Sequence, residues 1–206
     1  MRVTKRYDVR LNEILDAAEV LFAQAGYEKT TVNNVLEKVG IGKGTFYHYF
    51  QSKEELADEV ITRAVEYIAG VVSASQAKPA QNTLEALQNL LPALRIAESP
   101  HQTLFKAMGN PHNALLHQKF IVKSIGLLTP ILAAIAERGI EEGLCQSDYP
   151  YETLEILLAA THVIYNWNIM GKTDDELALR AAALIRMAEL SFGIPKDGFK
   201  IFLSDN

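Results

Sequence analysis

The chain has 206 residues, of which 49% are hydrophobic and 22% are charged, and its formal net charge is −5. This composition is that of a soluble globular protein of one or two domains, and the acidic balance argues against general, charge-driven binding to nucleic acids. The single cysteine, Cys145, excludes an internal disulfide.

No targeting segment or membrane span is predicted. The charged start of the chain is not followed by the apolar stretch that a signal peptide needs. The longest nearly apolar run, residues 125–136, is shorter than the ~20 residues that a membrane-spanning helix needs. We therefore expect a cytoplasmic protein without a membrane partner.

Positive charge is concentrated at the start of the chain. Residues 1–53 contain 8 Lys and Arg against 6 acidic residues, whereas the remainder contains 12 against 19. Only this first part is suited to contact a polyanion. Arg2, Lys5 and Arg6 either reach the phosphates or the minor groove of a nucleic acid or form a frayed, solvated terminus, and the sequence leaves both interpretations open.

Hydrophobic residues recur at helical spacing along the chain, and no convincing alternating strand pattern occurs. The first predicted helix carries an apolar stripe from Leu11 to Ala25 and ends at Gly26. The second spans residues 32–39, with Thr31 as its N-cap and a stop at Gly40.

An aromatic stretch forms the third predicted helix, residues 44–50, and a long fourth helix follows it. Ser52 and Glu55 have the spacing of a capping box, which opens this fourth helix and carries it past Ile68. A loop is predicted at residues 73–82, where small and polar residues cluster.

Five further helices bring the predicted total to about nine, all in an all-α fold. Pro92 and Pro130 are expected to bend two of them, and the tail 193–206 has no clear assignment. The predicted ranges are 83–97, a short helix between residues 100 and 109, 112–142, 151–170, and a last helix capped by Thr173 that reaches Phe192.

The second and third predicted helices have the size and apolar pattern of a helix-turn-helix, a motif that lays its second helix in the DNA major groove. At helical spacing, Phe46 and Phe50 fall within about 40° of each other and define a buried face. The other positions are small or polar-tipped, which is unlike a plain core helix: Gly44, Thr45, Tyr47, His48 and Tyr49.

These residue types suit contact with DNA. Tyrosine hydroxyls and an imidazole can donate to phosphate oxygens, and Gly44 lets the backbone approach the duplex closely. Thr45 offers a hydroxyl and a methyl group that fits a thymine edge. Lys53 lies in the first turn of the fourth helix, where free backbone N–H groups already favour a phosphate.

The stretch TTVNNVLEKVGIGKGTFYHYFQSKEEL, residues 30–56, resembles the helix-turn-helix of TetR-family transcriptional repressors almost position for position. The resemblance implies a homodimer with a three-helix DNA-binding domain at residues 1–58 and a domain for effector binding and dimerisation at residues 59–206. Gly42 stands where many members have serine or alanine, so the third helix is expected to have a weak cap. The family's DNA-contacting positions correspond here to Thr31, Lys43, Gly44, Thr45, Tyr47, His48, Tyr49 and Lys53.

The predicted helices after residue 83 are rich in apolar residues, which indicates either a pocket for an effector molecule or a plain packed core. Prolines at positions 92 and 130 leave carbonyl groups unpaired and can open space between helices. The acidic surroundings mildly favour a neutral or cationic small molecule. The candidate polar contacts are His101, Thr103, Asn113 and Gln118.

The last two predicted helices, the eighth and ninth, are apolar nearly all round, which indicates two buried sides rather than one. One side is expected to face the effector domain and the other an identical pair in a second copy of the chain. A two-fold symmetric dimer would then place the third predicted helix of each copy on the same side of the DNA.

Other classes of function fit the sequence less well. The run GIGKGT lacks the spacing of a phosphate-binding loop and follows no predicted strand. The hydrolase motif G-x-S-x-G and the zinc-protease motif H-E-x-x-H are both absent from the sequence. We therefore predict no enzymatic activity and no cofactor. His112 and His117 do not share a helix face, so no metal site is predicted. The remaining alternative is a protein-interaction module that binds a partner through the aromatic helix 44–50.

Overall fold

The computed structural model describes residues 2–76, 83, 85, 99–165 and 173–199, without the side chains of residues 2–6, 163–165 and 174. Within these ranges there are eight α-helices, one 3₁₀ turn and no strand, which confirms the all-α class. The helices are α1 (Arg2–Ala25), α2 (Val32–Val39), α3 (Lys43–Tyr49), α4 (Lys53–Gln76), α5 (Gln102–Ala107), α6 (Ala114–Glu141), α7 (Pro150–Tyr165) and α8 (Asp174–Ser191), and the 3₁₀ turn is Pro111–Asn113.

The chain divides into two compact units. Unit 1 comprises Met1–Ala64 and Glu98–Phe120, and unit 2 comprises Val65–Ala97 and Ile121–Asn206. α4 and α6 therefore each contribute residues to both units. The boundary predicted after residue 58 divides DNA binding from effector binding, and this functional division remains a prediction.

The first two helices end as their glycines predict. Gly26, with φ 87°, follows α1, and Gly40, with φ 71°, closes α2 by donating its N–H to the Leu36 carbonyl. Thr31 caps α2: its hydroxyl accepts from the N–H of Asn34, and the Asn34 side-chain oxygen accepts from the N–H of Thr31. Such a reciprocal cap satisfies two N–H groups that lack helical partners.

The core of unit 1 is built from the apolar stripes of its helices together with Leu104, Met108 and Leu116 from the later segment 98–120. Each large side chain that is fully buried contributes roughly 1.5–3 kcal/mol relative to an exposed one. The buried residues include Ile14, Leu15, Phe22, Val35, Phe46, Leu56, Val60, Ile61, Leu104 and Leu116.

Asn113 attaches the segment 98–120 to α1. Its side-chain oxygen accepts from the N–H of Tyr27 at 2.7 Å, and its amide nitrogen donates to the carbonyls of Phe22 (3.1 Å) and Ala107 (2.9 Å). Asn113 is fully buried, so these bonds satisfy groups that water cannot reach. Gly26 lies at the same junction, where an added Cβ would stand 2.6 Å from the His112 Cβ.

A cluster of charged side chains around the buried Glu19 and His101 connects three parts of unit 1. The Glu19 carboxylate lies 2.9 Å from His101 Nδ1 and 2.8 Å from Arg63 Nη2, and Arg63 also contacts Asp16 at 2.7 Å. Burial works to raise the pKa of Glu19, but the hydrogen bonds and charges of His101 and Arg63 outweigh it and lower that pKa overall. The Glu19 carboxylate is therefore paired, and this pairing offsets the free-energy cost of burying its charge.

In unit 2, α7 and α8 pack on each other. α8 begins at Thr173, whose hydroxyl accepts from the N–H of Glu176 while the Glu176 carboxylate accepts from the N–H of Thr173, as the sequence predicts. Ser124 of α6 and His162 of α7 form a side-chain hydrogen bond of 2.6 Å.

One stretch within the described residues, Pro111–Glu141, has the length and apolar composition of a membrane-spanning segment. Charged and polar residues are scattered along this stretch, so it contains no long uninterrupted apolar run. The core helix of a soluble protein has the same composition. In its first part, Lys119 forms ion pairs with Glu54 (3.3 Å) and Asp58 (3.0 Å), so this part packs on protein.

Some helix limits differ from the predicted ones, and some lie outside the described residues. The helix predicted from residue 112 begins as the 3₁₀ turn Pro111–Asn113, because Asn110 caps that turn and Pro111 occupies its first position. Most of predicted helix 83–97 lies outside the described residues, as do residues 166–170 of predicted helix 151–170 and residues 200–206 of the tail.

We expect Gly26→Ala to destabilise the protein more than Gly40→Ala. Both glycines have positive φ, which costs a residue with a side chain about 1–2 kcal/mol. Only at Gly26 would the new Cβ also overlap another side chain, because the space around Gly40 is open. Urea unfolding of the two variants measures the difference, and equal losses of unfolding free energy would contradict the close approach at His112.

Candidate DNA-binding surface and ligand cavity

Two phenylalanines hold α3 against the rest of unit 1. Phe46 is fully buried and Phe50 nearly so, with their ring centroids 5.8 Å apart. α3 has only seven residues, and its N-cap Gly42 makes no side-chain cap, as predicted. Because so short a helix is marginal by itself, its position depends on this burial.

The predicted DNA-contacting positions of α3 lie away from the buried face. Tyr47 is 56% exposed, and Tyr49 is half-buried. A row of exposed residues completes the surface: Lys43, Gly44, Thr45 and His48. α3 therefore presents a cation, hydroxyls and an imidazole to solvent, which are the groups that contact phosphates and base edges in DNA complexes.

Tyr7 of α1 belongs to this surface, although sequence reasoning did not identify it. Its ring centroid lies 4.6 Å from that of Tyr49 and 5.9 Å from that of His48, the latter in an edge-to-face arrangement. Tyr7 thus restricts the two aromatic side chains at the end of α3. The sequence feature that could have indicated Tyr7 is its position one helical turn before Leu11, where the apolar stripe of the first helix begins.

Gly44 has no internal structural reason to be glycine. It lies inside α3 without a positive φ, and a Cβ added to it would meet nothing within 4 Å. Glycine inside a helix costs about 0.5–1 kcal/mol relative to alanine. An external partner that approaches the backbone of α3 would account for it.

Thr31 and Lys53 already have intramolecular roles. Thr31 caps α2, and Lys53 Nζ donates to the carbonyls of Tyr27 (2.8 Å) and Thr30 (2.9 Å) while lying 4.1 Å from the Tyr27 ring centroid. Burial lowers the pKa of Lys53, against the opposing effect of the Glu28 charge. An ammonium group has three donor hydrogens, so one is left for a phosphate. Both DNA contacts remain predictions.

The four residues predicted to contact an effector all lie in unit 1. Asn113 uses its side chain to join backbone groups, and His101 Nδ1 contacts the Glu19 carboxylate. Thr103 and Gln118 are exposed. A ligand role for these residues stays a prediction. Among the described side chains, no group of three or more His, Cys, Asp or Glu could hold a metal ion.

Unit 2 contains a cavity of about 110 Å³ that none of those four residues lines. Its walls come from five separate stretches of the chain, so no local motif could have revealed it. Burial raises the pKa of the Cys145 thiol at its wall. The described residues that line the cavity are Thr83, Leu132, Ile135, Ala136, Cys145, Leu154, Phe192, Ile194 and Phe199.

Two family profiles match the chain. The profile described as "Bacterial regulatory proteins, tetR family" matches residues 14–60, which include α2 and α3. The profile described as "Tetracyclin repressor-like, C-terminal domain" matches residues 96–187. The two matches are consecutive and lie in the order that the DNA-binding and effector domains have in the family.

Relatives and solved structures agree with these profiles. The HTH-type transcriptional repressor KstR2 of Mycobacterium tuberculosis is 29% identical over 205 residues, covering 96% of this chain and 98% of the relative. A crystal structure of RolR in complex with the ligand resorcinol has a TM-score of 0.66 at 19% identity, covering 98% of this chain and 97% of RolR. The reduced form of Escherichia coli NemR has a TM-score of 0.61 at 17% identity, covering 86% of this chain and 96% of NemR. The two structures support the fold.

We expect Gly44→Ala to weaken DNA binding while leaving the protein as stable as before or up to about 1 kcal/mol more stable. The added methyl group favours the helix but occupies the space through which DNA would approach the α3 backbone. Gly70→Ala is a matched control, because Gly70 is also an exposed helical glycine with open space around it. DNA affinity and urea unfolding are measured together, and equal DNA affinity of both variants would contradict the close approach at Gly44.

We expect Lys53→Ala to have two effects. Loss of its bonds to the Tyr27 and Thr30 carbonyls should lower the unfolding free energy by about 1–3 kcal/mol. Loss of a phosphate contact should weaken binding to all DNA sequences alike and reduce the slope of log affinity against log salt by ~0.9. Lys106→Ala removes an exposed lysine outside the predicted contacts and is the control. An unchanged salt slope for a folded Lys53→Ala protein would leave Lys53 with its intramolecular role alone.

Proposed function

Because this chain belongs to the TetR family of bacterial transcriptional regulators, we propose that it is a ligand-responsive repressor that binds a palindromic operator as a homodimer. Its similarity to the repressor KstR2 along nearly the whole length of both chains supports repression. The proposal places the protein in the cytoplasm, where the operator DNA is, and includes no catalytic activity.

The orientation of α3 is the observation that carries this proposal. Phe46 and Phe50 are buried, while Lys43, Thr45 and Tyr47 stand exposed on the other sides of the same short helix. In a helix-turn-helix, the second helix enters the major groove and its exposed side chains read base edges. We assign Lys43 and Thr45 to base contacts, and Tyr47 and His48 to phosphate contacts.

An exposed apolar stripe on α8 supports the dimer. Leu179, Met187 and Leu190 are 71%, 55% and 63% exposed, and they fall within about 80° of each other at helical spacing. On α7, which packs on α8, Ile156 is 65% exposed. An apolar patch of this kind on a soluble protein marks an interaction site. The expected occupant is the same pair of helices in a second copy, in a four-helix interface.

Two continuous helices can couple a ligand to the operator. α4 and α6 each contribute residues to both units, so a change in unit 2 can be transmitted along either helix to unit 1. Release requires the ligand to bind the DNA-free conformation more tightly, with a coupling free energy of ~1–3 kcal/mol. The expected change is a different separation of the two α3 helices in the dimer.

The alternative is a module that binds a protein partner through the aromatic residues of α3. Titration of labelled non-specific DNA at low salt separates the two functions, because DNA binding must weaken steeply as salt increases. The positions of Lys43, Tyr47 and His48 on the exposed surface, and the family profile over residues 14–60, favour the DNA reader.

We expect the double variant Met187→Glu with Leu190→Glu to be a folded monomer that has lost operator binding. Both side chains are exposed in the single chain, so the new carboxylates remain hydrated there, whereas an interface would bury two like charges. Static light scattering measures the mass, and binding is measured on a DNA site selected from a random pool.

Val122→Glu is the matched control, because Val122 is 66% exposed on α6, outside the α8 stripe. It should remain a dimer and bind the same DNA. A monomeric unsubstituted protein at micromolar concentration, or a double variant that remains dimeric, would contradict the α8 interface. A selected DNA site without an inverted repeat would contradict the dimeric operator.

A further inference from the structure

The cavity of unit 2 has the size of a single small ring compound. Its volume is about 110 Å³, somewhat below that of the ~150 Å³ engineered apolar cavity that stays dry and binds benzene. Carbon atoms form most of the walls, from Leu132 and Ile135 of α6, Leu154 of α7, and Phe192 just after α8. Apolar walls of this kind attract an apolar ligand rather than water.

The two polar side chains at the wall are both uncharged. The Thr83 hydroxyl is buried and makes no hydrogen bond of good geometry among the described residues. The backbone N–H of Thr83, and to a smaller extent its hydroxyl, help to lower the pKa of the nearby Glu142 carboxyl group. Burial raises the pKa of Cys145, which keeps it a neutral thiol, and its Sγ donates to the Ala136 carbonyl at 3.7 Å. None of the described lining residues is charged. An ionic ligand would therefore lose its hydration without gaining a counter-charge.

Thr83 is held firmly at this wall. Its backbone N–H donates to the Glu142 carboxylate at 2.7 Å, and Arg138 Nε donates to the same carboxylate at 2.8 Å. Gly139 lets the wall close, since an added Cβ would stand 3.2 Å from Thr83 Cγ2 and 3.1 Å from Cys145 Sγ. The backbone of Thr83 is thus anchored at the wall. A buried hydroxyl without a hydrogen bond of good geometry costs free energy that a ligand atom can recover.

We propose that this cavity is a ligand site for a small, uncharged, largely apolar ring compound that carries one hydrogen-bonding group for Thr83. The site deepens the ligand response of the proposed repressor and rests on it, because occupancy regulates nothing unless the protein releases DNA. Binding to the cavity can nevertheless be measured without DNA, so the ligand site and the proposed repressor function can each be contradicted without the other.

Phenol, benzene and benzoate are suitable probes because they share one ring and differ in polarity and charge. Each is titrated into the full-length protein without DNA by calorimetry. We expect phenol to bind, benzene to bind more weakly, and benzoate to bind at least about tenfold more weakly than phenol because its carboxylate must be desolvated. Benzoate binding as tightly as phenol would overturn the uncharged class, and no detectable phenol binding would overturn the site.

Substitutions on α6 test whether phenol binds in the cavity. Ala136→Leu fills the cavity and should weaken phenol binding at least tenfold, whereas Ala134→Leu, at an exposed position of the same helix, should leave it unchanged. Should Ala136→Leu fail to fold by circular dichroism, Leu132→Phe fills the same space from a neighbouring position. Phenol binding that persists in a folded, filled variant would place it elsewhere and overturn the proposal.

Thr83→Val tests the hydrogen bond, because valine keeps the shape of threonine without its hydroxyl. The variant should bind phenol about fivefold more weakly, the loss of one modest hydrogen bond, and bind benzene as the unsubstituted protein does. Equal phenol binding would overturn the assignment of Thr83. Binding without DNA release would retain the cavity and contradict the ligand response of the proposed function.

Discussion

The burial of Phe46 and Phe50 is the constraint on which the proposed DNA-binding surface depends. A helix of seven residues without a side-chain cap is not stable in water by itself, so α3 exists because its two rings are held in the core of unit 1. The same burial determines which residues of α3 face outward. Tyr7 then restricts Tyr49 and His48 from the side. Contacts within unit 1 thus position the exposed face of α3.

Polar contacts between distant parts of the chain complete unit 1. The segment 98–120 joins α1 through the Asn113 side chain and through His101 and Glu19, pairs that lie more than eighty positions apart in the sequence. Buried polar groups of this kind must be satisfied, and their geometry leaves few alternatives. Unit 1 therefore combines the helix-turn-helix with the beginning of α6, so it contains more of the chain than the motif itself.

Apolar residues of unit 2 lie in two different environments, the wall of the cavity and the exposed surface. Leu154 and Phe192 line the cavity, whereas Ile156, Leu179 and Leu190 are exposed. All five occur on or beside the same two helices, α7 and α8. An apolar side chain on a helix gains as much free energy by packing in a pocket as in an interface. Packing thus decides which of these side chains line the cavity and which remain exposed.

Local sequence determined the all-α fold, the limits of α2, the limits of α3 to within one residue, and the buried face of α3. Caps, glycines and helical spacing act within a few residues, which is why these features can be predicted. Tertiary structure decided the partners of Lys53, Asn113 and His101, each of which binds a group that lies far away in the sequence. It also decided the cavity, whose walls come from five separate stretches. A polar residue in an apolar stretch looks the same in sequence whether it meets a ligand or a backbone group, because its partner is chosen only when the helices pack.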